Sequence, residues 1–360
     1  MRVLVVAVSA RMLAELAVAD GHEVIAIDRF GDVDLRAVAI AATAAGNDAL
    51  VRRAERVDAD AVVYGAGFEN RPDLVARLAA GRELLGTPPE LLSAVRDPWA
   101  LDAAVGRAGA RVPETRRVAE MPSCAGDGAW LRKPLAGGGG RGVRRWGGGR
   151  LRPTEILQRR ADGLSCSAIA IADGRDATVI GVTEQLHRGG YRWSGNVSPP
   201  RLPPSERIEL SARLDAVCGA VAQRFGVRGA FGVDAIWDRR KLWVLEVNPR
   251  PTASLELFAD GAFGAHVRGA RGVSLPTPGT PSTSGCAKVK LVLYADRELR
   301  APDPTWWPAG LVRDVPHRGQ PIARGAPVCT LVSASAEPDE LAALGARLLR
   351  ELGDRVPAHA

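Results

Sequence analysis

Cysteine is sparse: five residues, at 124, 166, 218, 286 and 329, an odd number spread far apart with no Cys-x-x-Cys pair. That pattern argues against a disulfide framework or a zinc knuckle and points to a reducing, cytoplasmic setting. No apolar run approaches the ~20 residues that a membrane span needs. The apolar opening at residues 3–8 stops at Ser9-Ala10-Arg11, too soon for a secretory leader, and reads as a first buried strand. Lysine is scarce as well: four residues, at 133, 241, 288 and 290, beside 44 arginines in a chain of formal net charge +7. The arginines are scattered, with no basic helix, tail or aromatic–basic alternation, so no nucleic-acid surface is expected. The excess positive charge suits an anionic small substrate or a nucleotide. With 46% hydrophobic and 25% charged residues over 360 positions, the chain is not disordered and has room for two or three packed domains.

Short buried strands at 3–8, 23–28 and 61–64 alternate with helical patterns at 11–20, 35–45 and 72–80. Such alternation predicts a parallel sheet with crossover helices, a Rossmann-like unit over residues 1–95. The dinucleotide fingerprint is missing, since the first turn carries no glycine. Asp28 ends the second strand, where such folds hold a ribose, and reads equally well as an acid beside a loop. After Pro88-Pro89 the pattern changes to a helix at 98–108, a strand at 130–135, antiparallel strands at 167–172 and 177–182, a long helix at 206–225, and a hairpin from 230–237 and 242–247. A Pro/Ser/Thr/Gly-rich stretch at 275–285 reads as a linker. Beyond it, residues 286–360 predict a small β-rich unit closed by a helix near 339–352. The expected class is thus α/β and α+β.

Two constellations carry chemistry. Lys133 sits on a strand that runs straight into Gly137-Gly138-Gly139-Gly140-Arg141-Gly142. A Walker loop is excluded because Val143 and Arg144 stand where Lys-Ser/Thr should be. A strand, a lysine and a Gly-rich turn make a flap whose N–H groups and ammonium can close over phosphates, unless the glycines are only a linker. The second is the hairpin. Glu246 and Asn248 share one face of a strand, Asp234 lies on the neighbouring strand, and Arg250 continues the row. Two carboxylates and an amide oxygen are hard donors suited to Mg²⁺, and an arginine can stabilise a transferring phosphoryl group. A polar, solvent-facing strand would look the same. The segment 185–196, QLHRGGYRWSGN, is a cationic connection between strands, either a binding loop for an acidic substrate or an exposed crossover. His187 within it reads as a surface residue.

In this order, Lys133-Pro134, the glycine run, Asp234, Glu246, Asn248 and Arg250 resemble the ATP-grasp superfamily, and the likeness covers most of the chain. The resemblance implies a two-subdomain ATP-grasp fold over 96–274, with a flap subdomain at about 112–157, between the Rossmann-like unit and the small β unit. It implies ATP held by Lys133, Gly138, Gly139, Gly140 and Gly142, with Gln158, Arg160 and Ala161 at the adenine. Metal ligands would be Asp234, Glu246 and Asn248, binding Mg²⁺ or Mn²⁺, with Arg250 and Lys133 catalytic. Many members carry an acid where Gln158 stands. A second phosphate-binding lysine, common early in the domain, is missing from residues 97–112, leaving Arg96 or Arg107 to substitute. Ser9, Arg11, Asp32, Glu69, Arg192 and Asn196 are expected at the substrate.

The motifs at residues 28–32 (DRFGD), 64–69 (YGAGFE) and 328–331 (VCTL) resemble those of the predicted ATP-grasp carboligases, some of which accompany tetrahydromethanopterin- or methanofuran-dependent one-carbon metabolism. The implied activity is ADP-forming ligation of a small, anionic carboxylate to an amine through an acyl phosphate, as in amino-acid or glutamate ligation. No nucleic-acid or membrane partner is expected, and a homodimer is left open. A biotin-dependent carboxylase, a nicotinamide-binding reductase and a non-catalytic nucleotide sensor are the alternatives.

Overall fold

The computed structural model describes residues 1–117, 128–258, 260–275, 287–334 and 337–354. The expected linker beyond Leu275, and the cysteines at 124 and 286, lie outside the described residues. Cys166, Cys218 and Cys329 are free and buried.

Five parallel strands open the chain: β1 (Arg2–Val6), β2 (Glu23–Asp28), β3 (Ile40–Thr43), β4 (Ala61–Tyr64) and β5 (Glu83–Leu84), in the order β3-β2-β1-β4-β5. Helices α1 (Arg11–Ala19), α2 (Val33–Val38), α3 (Asn47–Ala54) and α4 (Pro72–Ala79) connect them. Packed on both faces, Val3–Val6 of β1 and all of β4 are apolar and buried in a continuous run rather than alternating. Strand order reverses between β1 and β4, so their carboxyl ends open a crevice beside Ser9 and residues 65–69. The helix expected over 35–45 stops at Val38, and Ile40–Thr43 pairs in parallel register with Ile25–Asp28. Alanine's helix preference over other ordinary residues is worth at most about 0.7 kcal/mol per residue. The unpaired N–H and C=O groups along the edge of β2 outweigh it.

Helices α5 (Pro89–Val95) and α6 (Pro98–Val105) lead into a four-stranded antiparallel sheet: β6 (Thr115–Arg116), β7 (Trp130–Pro134), β8 (Arg144–Arg145) and β9 (Glu155–Arg159), ordered β6-β9-β7-β8. Trp130, Trp146, Leu151 and Leu157 give it a small core of its own. This sheet carries Lys133 and launches the glycine flap.

A long antiparallel sheet follows: β10 (Leu164–Asp173), β11 (Ala177–Arg188), β12 (Arg192–Ser198), β13 (Arg228–Trp237) and β14 (Leu242–Asn248). Leu210, Leu214, Val217 and Val221 form the apolar stripe of α7 (Pro204–Phe225) against one face. Helix α8 (Ala262–Ala270) wedges between the other face and α1, joining Phe263 and Val267 to Ile169, Ile171 and Leu13. His266 on α8 accepts from the Ala230 N–H (2.8 Å) at Nδ1 and donates to the Leu85 carbonyl (3.2 Å) from Nε2, linking the two sheets. The segment 185–196, expected as a loop, instead forms most of a β-hairpin: Gln185 pairs with Asn196 and Arg188 with Arg192 around Gly189 and Gly190, both at positive φ. Hence its side chains are held in register.

The last strands are β15 (Lys288–Tyr294), β16 (Leu299–Arg300), β17 (Val312–Arg313), β18 (Pro321–Ile322) and β19 (Pro327–Ser333), before α9 (Pro338–Asp354). β15, β19 and β17 continue the long sheet, giving the order β14-β13-β10-β11-β12-β15-β19-β17. The C-terminal part thus has its own core, including Leu293, Leu331, Leu341 and Leu348, while sharing a sheet with the preceding unit through the edge of β12.

Candidate active site

The register of β13 and β14 sets Asp234 opposite Glu246 and Gly232 opposite Asn248. Asn248 Nδ2 donates to Asp234 Oδ2 at 2.9 Å, and Gln185 Nε2 donates to Asp234 Oδ1 at 2.8 Å. The hairpin geometry therefore brings the three expected ligands together. Burial, and then the adjacent Glu246, push Asp234 well above the usual carboxylate range. A divalent cation would relieve that repulsion, so the donor set fits Mg²⁺ chemically. Among the described residues no trio of His, Cys, Asp or Glu is grouped for a metal. An ion here would rest on two carboxylates, an amide oxygen and ligand oxygens, the arrangement Mg²⁺ accepts.

Arg250 lies beside this group. It makes an ion pair with Glu69 at 2.8 Å and points NH2 at Asn248 Oδ1 at 3.5 Å, while its buried Nε has no partner among the described residues. Burial alone would lower its pKa, but the Glu69 carboxylate outweighs that and keeps it firmly charged. Of the two arginines expected in place of the missing lysine, Arg96 lies beside Glu246 with its donors on protein oxygens. Its guanidinium donates to the carbonyls of Val247 (2.9 Å) and Gly137 (2.7 Å) and lies 3.5 Å from the Glu246 carboxylate. Arg107 is exposed and away from the cleft.

Lys133 on β7 is half-buried and donates to Gln158 Oε1 at 2.8 Å; Gln158 Nε2 in turn donates to Thr115 Oγ1 at 3.2 Å. Burial lowers the Lys133 pKa, with Glu246 pulling the other way. A neutral amide at 158 therefore orients the ammonium without an ion pair. Beyond it Arg160, bonded to Asp162, and Ala161 border the same cleft. Over it lies the glycine run, with Gly139, Gly140 and Gly142 at φ +60°, +69° and +76°. The Gly139 carbonyl accepts from the Trp193 N–H at 3.1 Å, and a Cβ on Gly140 would sit 1.8 Å from the Tyr191 carbonyl oxygen. The flap is docked on the turn of the β11–β12 hairpin, and glycine is required there because backbone meets backbone. His187 is exposed at the cleft mouth.

One cleft of about 1210 Å³ joins these groups to the crevice at β1 and β4. Of the residues expected at the substrate, Arg11 is 1% exposed and committed to Asp314 (3.0 Å), Glu15 (2.9 Å) and Glu256. Glu69 is committed to Arg250 and the Gly67 N–H (2.6 Å). Asn196 bonds Thr183 (2.7 Å) and Trp193 (3.0 Å), bracing the hairpin. Arg192 donates to the Gly325 carbonyl and lies over the Tyr294 ring. Ser9 donates to Asp314 at 3.3 Å, while Asp32 faces the cleft. Asp28, the ribose candidate, accepts the N–H groups of Ala10, Phe30 and Gly31 and is spent on its own loop. Sequence reasoning missed Asp314, Thr330 and Lys290. Lys290 carried the same scarcity signal as Lys133. Asp314 had none, since it follows a short strand 303 positions along the chain from Arg11.

A parallel α/β unit, a flap sheet and a long antiparallel sheet enclosing one cleft define the ATP-grasp architecture. Residues 95–254 match the family model of the ATP-grasp domain, and the chain carries that domain. The carbamoyl phosphate synthase large chain of Deinococcus deserti is 27% identical over 216 residues, covering 54% of this chain but only 21% of that protein. The chain thus spans about a fifth of the length of the curated relatives it matches. Among solved structures, the N5-carboxyaminoimidazole ribonucleotide synthetase of Thermus thermophilus superposes with a TM-score of 0.67 at 17% identity over 100% of both chains. The biotin carboxylase domain of the Hydrogenobacter thermophilus 2-oxoglutarate carboxylase, solved with MgADP, ADP and bicarbonate, gives 0.71 at 16% identity, covering 97% of this chain and 89% of that one. No described helix is long and apolar enough to cross a membrane.

Proposed function

We propose that the protein is an ATP-dependent carboxylate–amine ligase that releases ADP and phosphate. One observation carries this reading: a half-buried lysine under a glycine flap, a carboxylate pair with an amide, and a largely buried arginine all converge on one cleft. A carboxylate oxygen attacks the γ-phosphorus of ATP, the bond to the bridging oxygen breaks, and ADP leaves with the electron pair. The resulting acyl phosphate is attacked by an amine, the C–N bond forms, and phosphate departs. Such transfers depend on positioning and charge stabilisation. Lys133 and the N–H groups of the flap hold phosphate oxygens, and Gln158 steers the ammonium. Arg250 presents its guanidinium to the charge that develops on the acyl phosphate. Arg96 ties the flap base to β14. Asp234, Glu246 and Asn248 would hold Mg²⁺ or Mn²⁺, which supplies charge neutralisation to the phosphates.

The likeness to a carboxylase domain solved with bicarbonate supports including bicarbonate as a carboxylate. The narrower reading, ligation of an amino acid or glutamate in one-carbon cofactor assembly, rests on the sequence resemblance. The test is nucleotide product formation with Mg-ATP, pooled amino acids, glutamate, bicarbonate and small carboxylates, and hydroxylamine to trap an acyl phosphate as hydroxamate. ADP and hydroxamate that depend on an added carboxylate, and vanish in Glu246→Gln, are expected. AMP in place of ADP would overturn the mechanism.

A further inference from the structure

The acceptor end of the cleft contains one acid without a partner. Asp32, just ahead of α2, is 4% exposed and lines the cleft. Among the described residues none donates a hydrogen bond to its carboxylate, and no ion pair reaches it. Every acid around it is satisfied. Asp28 takes three backbone N–H groups, and Asp34 takes those of Asp314 and Val315 at 2.8 and 3.1 Å. Asp314 takes Arg11, Ser9 and Thr330, and Glu256 takes Arg11 and Lys290.

The positive and titratable groups nearby are equally committed. Arg11 serves four acids, Glu15, Asp34, Glu256 and Asp314, and Lys290 serves Glu256 and the Ala253 carbonyl (3.0 Å). Arg36 donates to the carbonyls of Gly31 and Ala41, and His317 Nε2 lies 2.8 Å from the Gly31 carbonyl. Cys329 beside them is a buried thiol held neutral by its surroundings. A buried carboxylate needs a positive partner or a proton. Among the described residues neither a cation nor a donor reaches Asp32, and acids outnumber cations at this end, so its partner is a proton until a ligand supplies a cation.

We propose that Asp32 receives the acceptor substrate as a primary ammonium ion and takes a proton from it as the nitrogen attacks. This rests on the ligase reading above and names its acceptor class. One ammonium proton passes to the Asp32 carboxylate, leaving a neutral amine. The amine lone pair forms the C–N bond, the acyl C–O bond breaks, and its pair leaves with phosphate, which takes up the second nitrogen proton. Burial first, then Asp314, Asp28 and Asp34, push Asp32 up to about 8, with Arg11 opposing. The empty site is therefore protonated at pH 7, and a cation must displace that proton to bind. A carboxylate of this basicity is also able to hold the proton that the ammonium gives up.

The probe is ethylammonium chloride, titrated calorimetrically into the full chain between pH 6 and 9 in two buffers of different ionisation enthalpy, with neutral acetamide as control. Wild type should release close to one proton per ethylammonium bound at pH 7. Its affinity should rise about tenfold per pH unit up to pH 8 and then level off. Asp32→Asn should bind at least tenfold more weakly, with no pH dependence, and should form less amide relative to hydroxamate from a mixture of ethylammonium and hydroxylamine. Equal binding by wild type and Asp32→Asn, a flat wild-type profile from pH 6 to 8, or acetamide binding as tight as ethylammonium would overturn the proposal. If Asp32→Asn does not fold, the wild-type pH profile and the acetamide control decide by the same criteria. Failure of the wild type to form hydroxamate with any carboxylate would overturn the ligase reading, and with it the acceptor role, whatever the calorimetry gives.

Discussion

Replacing Gly140 by alanine tests whether the flap closes by docking on the β11–β12 hairpin. The new Cβ would lie 1.8 Å from the Tyr191 carbonyl oxygen and 2.7 Å from its carbon, so the loop must retreat by more than an ångström. Retreat breaks the 3.1 Å bond from the Trp193 N–H to the Gly139 carbonyl, which is worth about 1 kcal/mol. At φ +69° an alanine also carries about 1–2 kcal/mol of left-handed strain. Together these disfavour the docked flap by roughly 2–3 kcal/mol, or ATP affinity by roughly 30- to 140-fold. Gly139→Ala is the control. Its Cβ meets nothing within 4 Å at φ +60°, leaving only the strain and roughly a 5- to 30-fold loss. Calorimetry gives the ATP dissociation constants, and trypsin cleavage after the exposed Arg141 reports flap opening, which Gly140→Ala should accelerate. The melting temperature should hold, because the flap contributes no side chain to any core. If Gly140→Ala binds ATP as tightly as Gly139→Ala, docking on the hairpin is not how the flap closes.

Lys133→Met should reduce ADP formation at least a hundredfold and cost about 1–3 kcal/mol of stability, since the Oε1 of the buried Gln158 loses its donor; steady-state kinetics beside a thermal melt checks both. Glu69→Ala strands the buried Arg250 charge and should destabilise the fold by about 3–5 kcal/mol in urea unfolding. Arg250→Met added to it should recover part of that loss without restoring activity. Asp32 gives a pH prediction. Its folded pKa is raised to about 8, so the folded state binds the extra proton and stability without ligand falls as pH climbs from about 4 toward 8. Asp32→Asn should therefore gain on wild type in melting temperature across that window, and a constant difference between pH 5 and 8 would refute the assignment. Asp314 behaves oppositely. Burial would raise it, but Arg11 and then Lys290 hold it well below the usual range. Its contribution to stability is present above about pH 4 and is lost on acidification toward its folded pKa, and Asp314→Asn should flatten the acid limb of the melting curve.

The chemistry of the phosphate side was legible because its residues are local. Lys133 and the glycines lie within ten positions, and Asp234, Glu246 and Asn248 sit on one hairpin whose period-two geometry puts them on one face. Buried strands such as Arg2–Val6 and Ala61–Tyr64 could be read for the same reason, as short apolar runs between helices. Residues 35–45 could not: their alanines favour a helix locally, and only the open edge of β2 makes Ile40–Thr43 a strand. Likewise, the hairpin at 185–196 exists because β11 and β12 pair as members of a sheet that also takes in β15.

The acceptor end was hidden for a stronger reason. Arg11 and Asp32 were read from the sequence as substrate contacts of the same kind, yet folding brings Asp314 and Glu256 onto Arg11 from far along the chain, with Lys290 on Glu256, and brings no partner to Asp32 among the described residues. Residue type and spacing, which act over a few bonds, determined the fold class and the set of residues proposed for the phosphates. Which buried charges are neutralised within the protein, and which is left for a ligand, depends on side chains as much as 303 positions apart, and only the tertiary structure decides it.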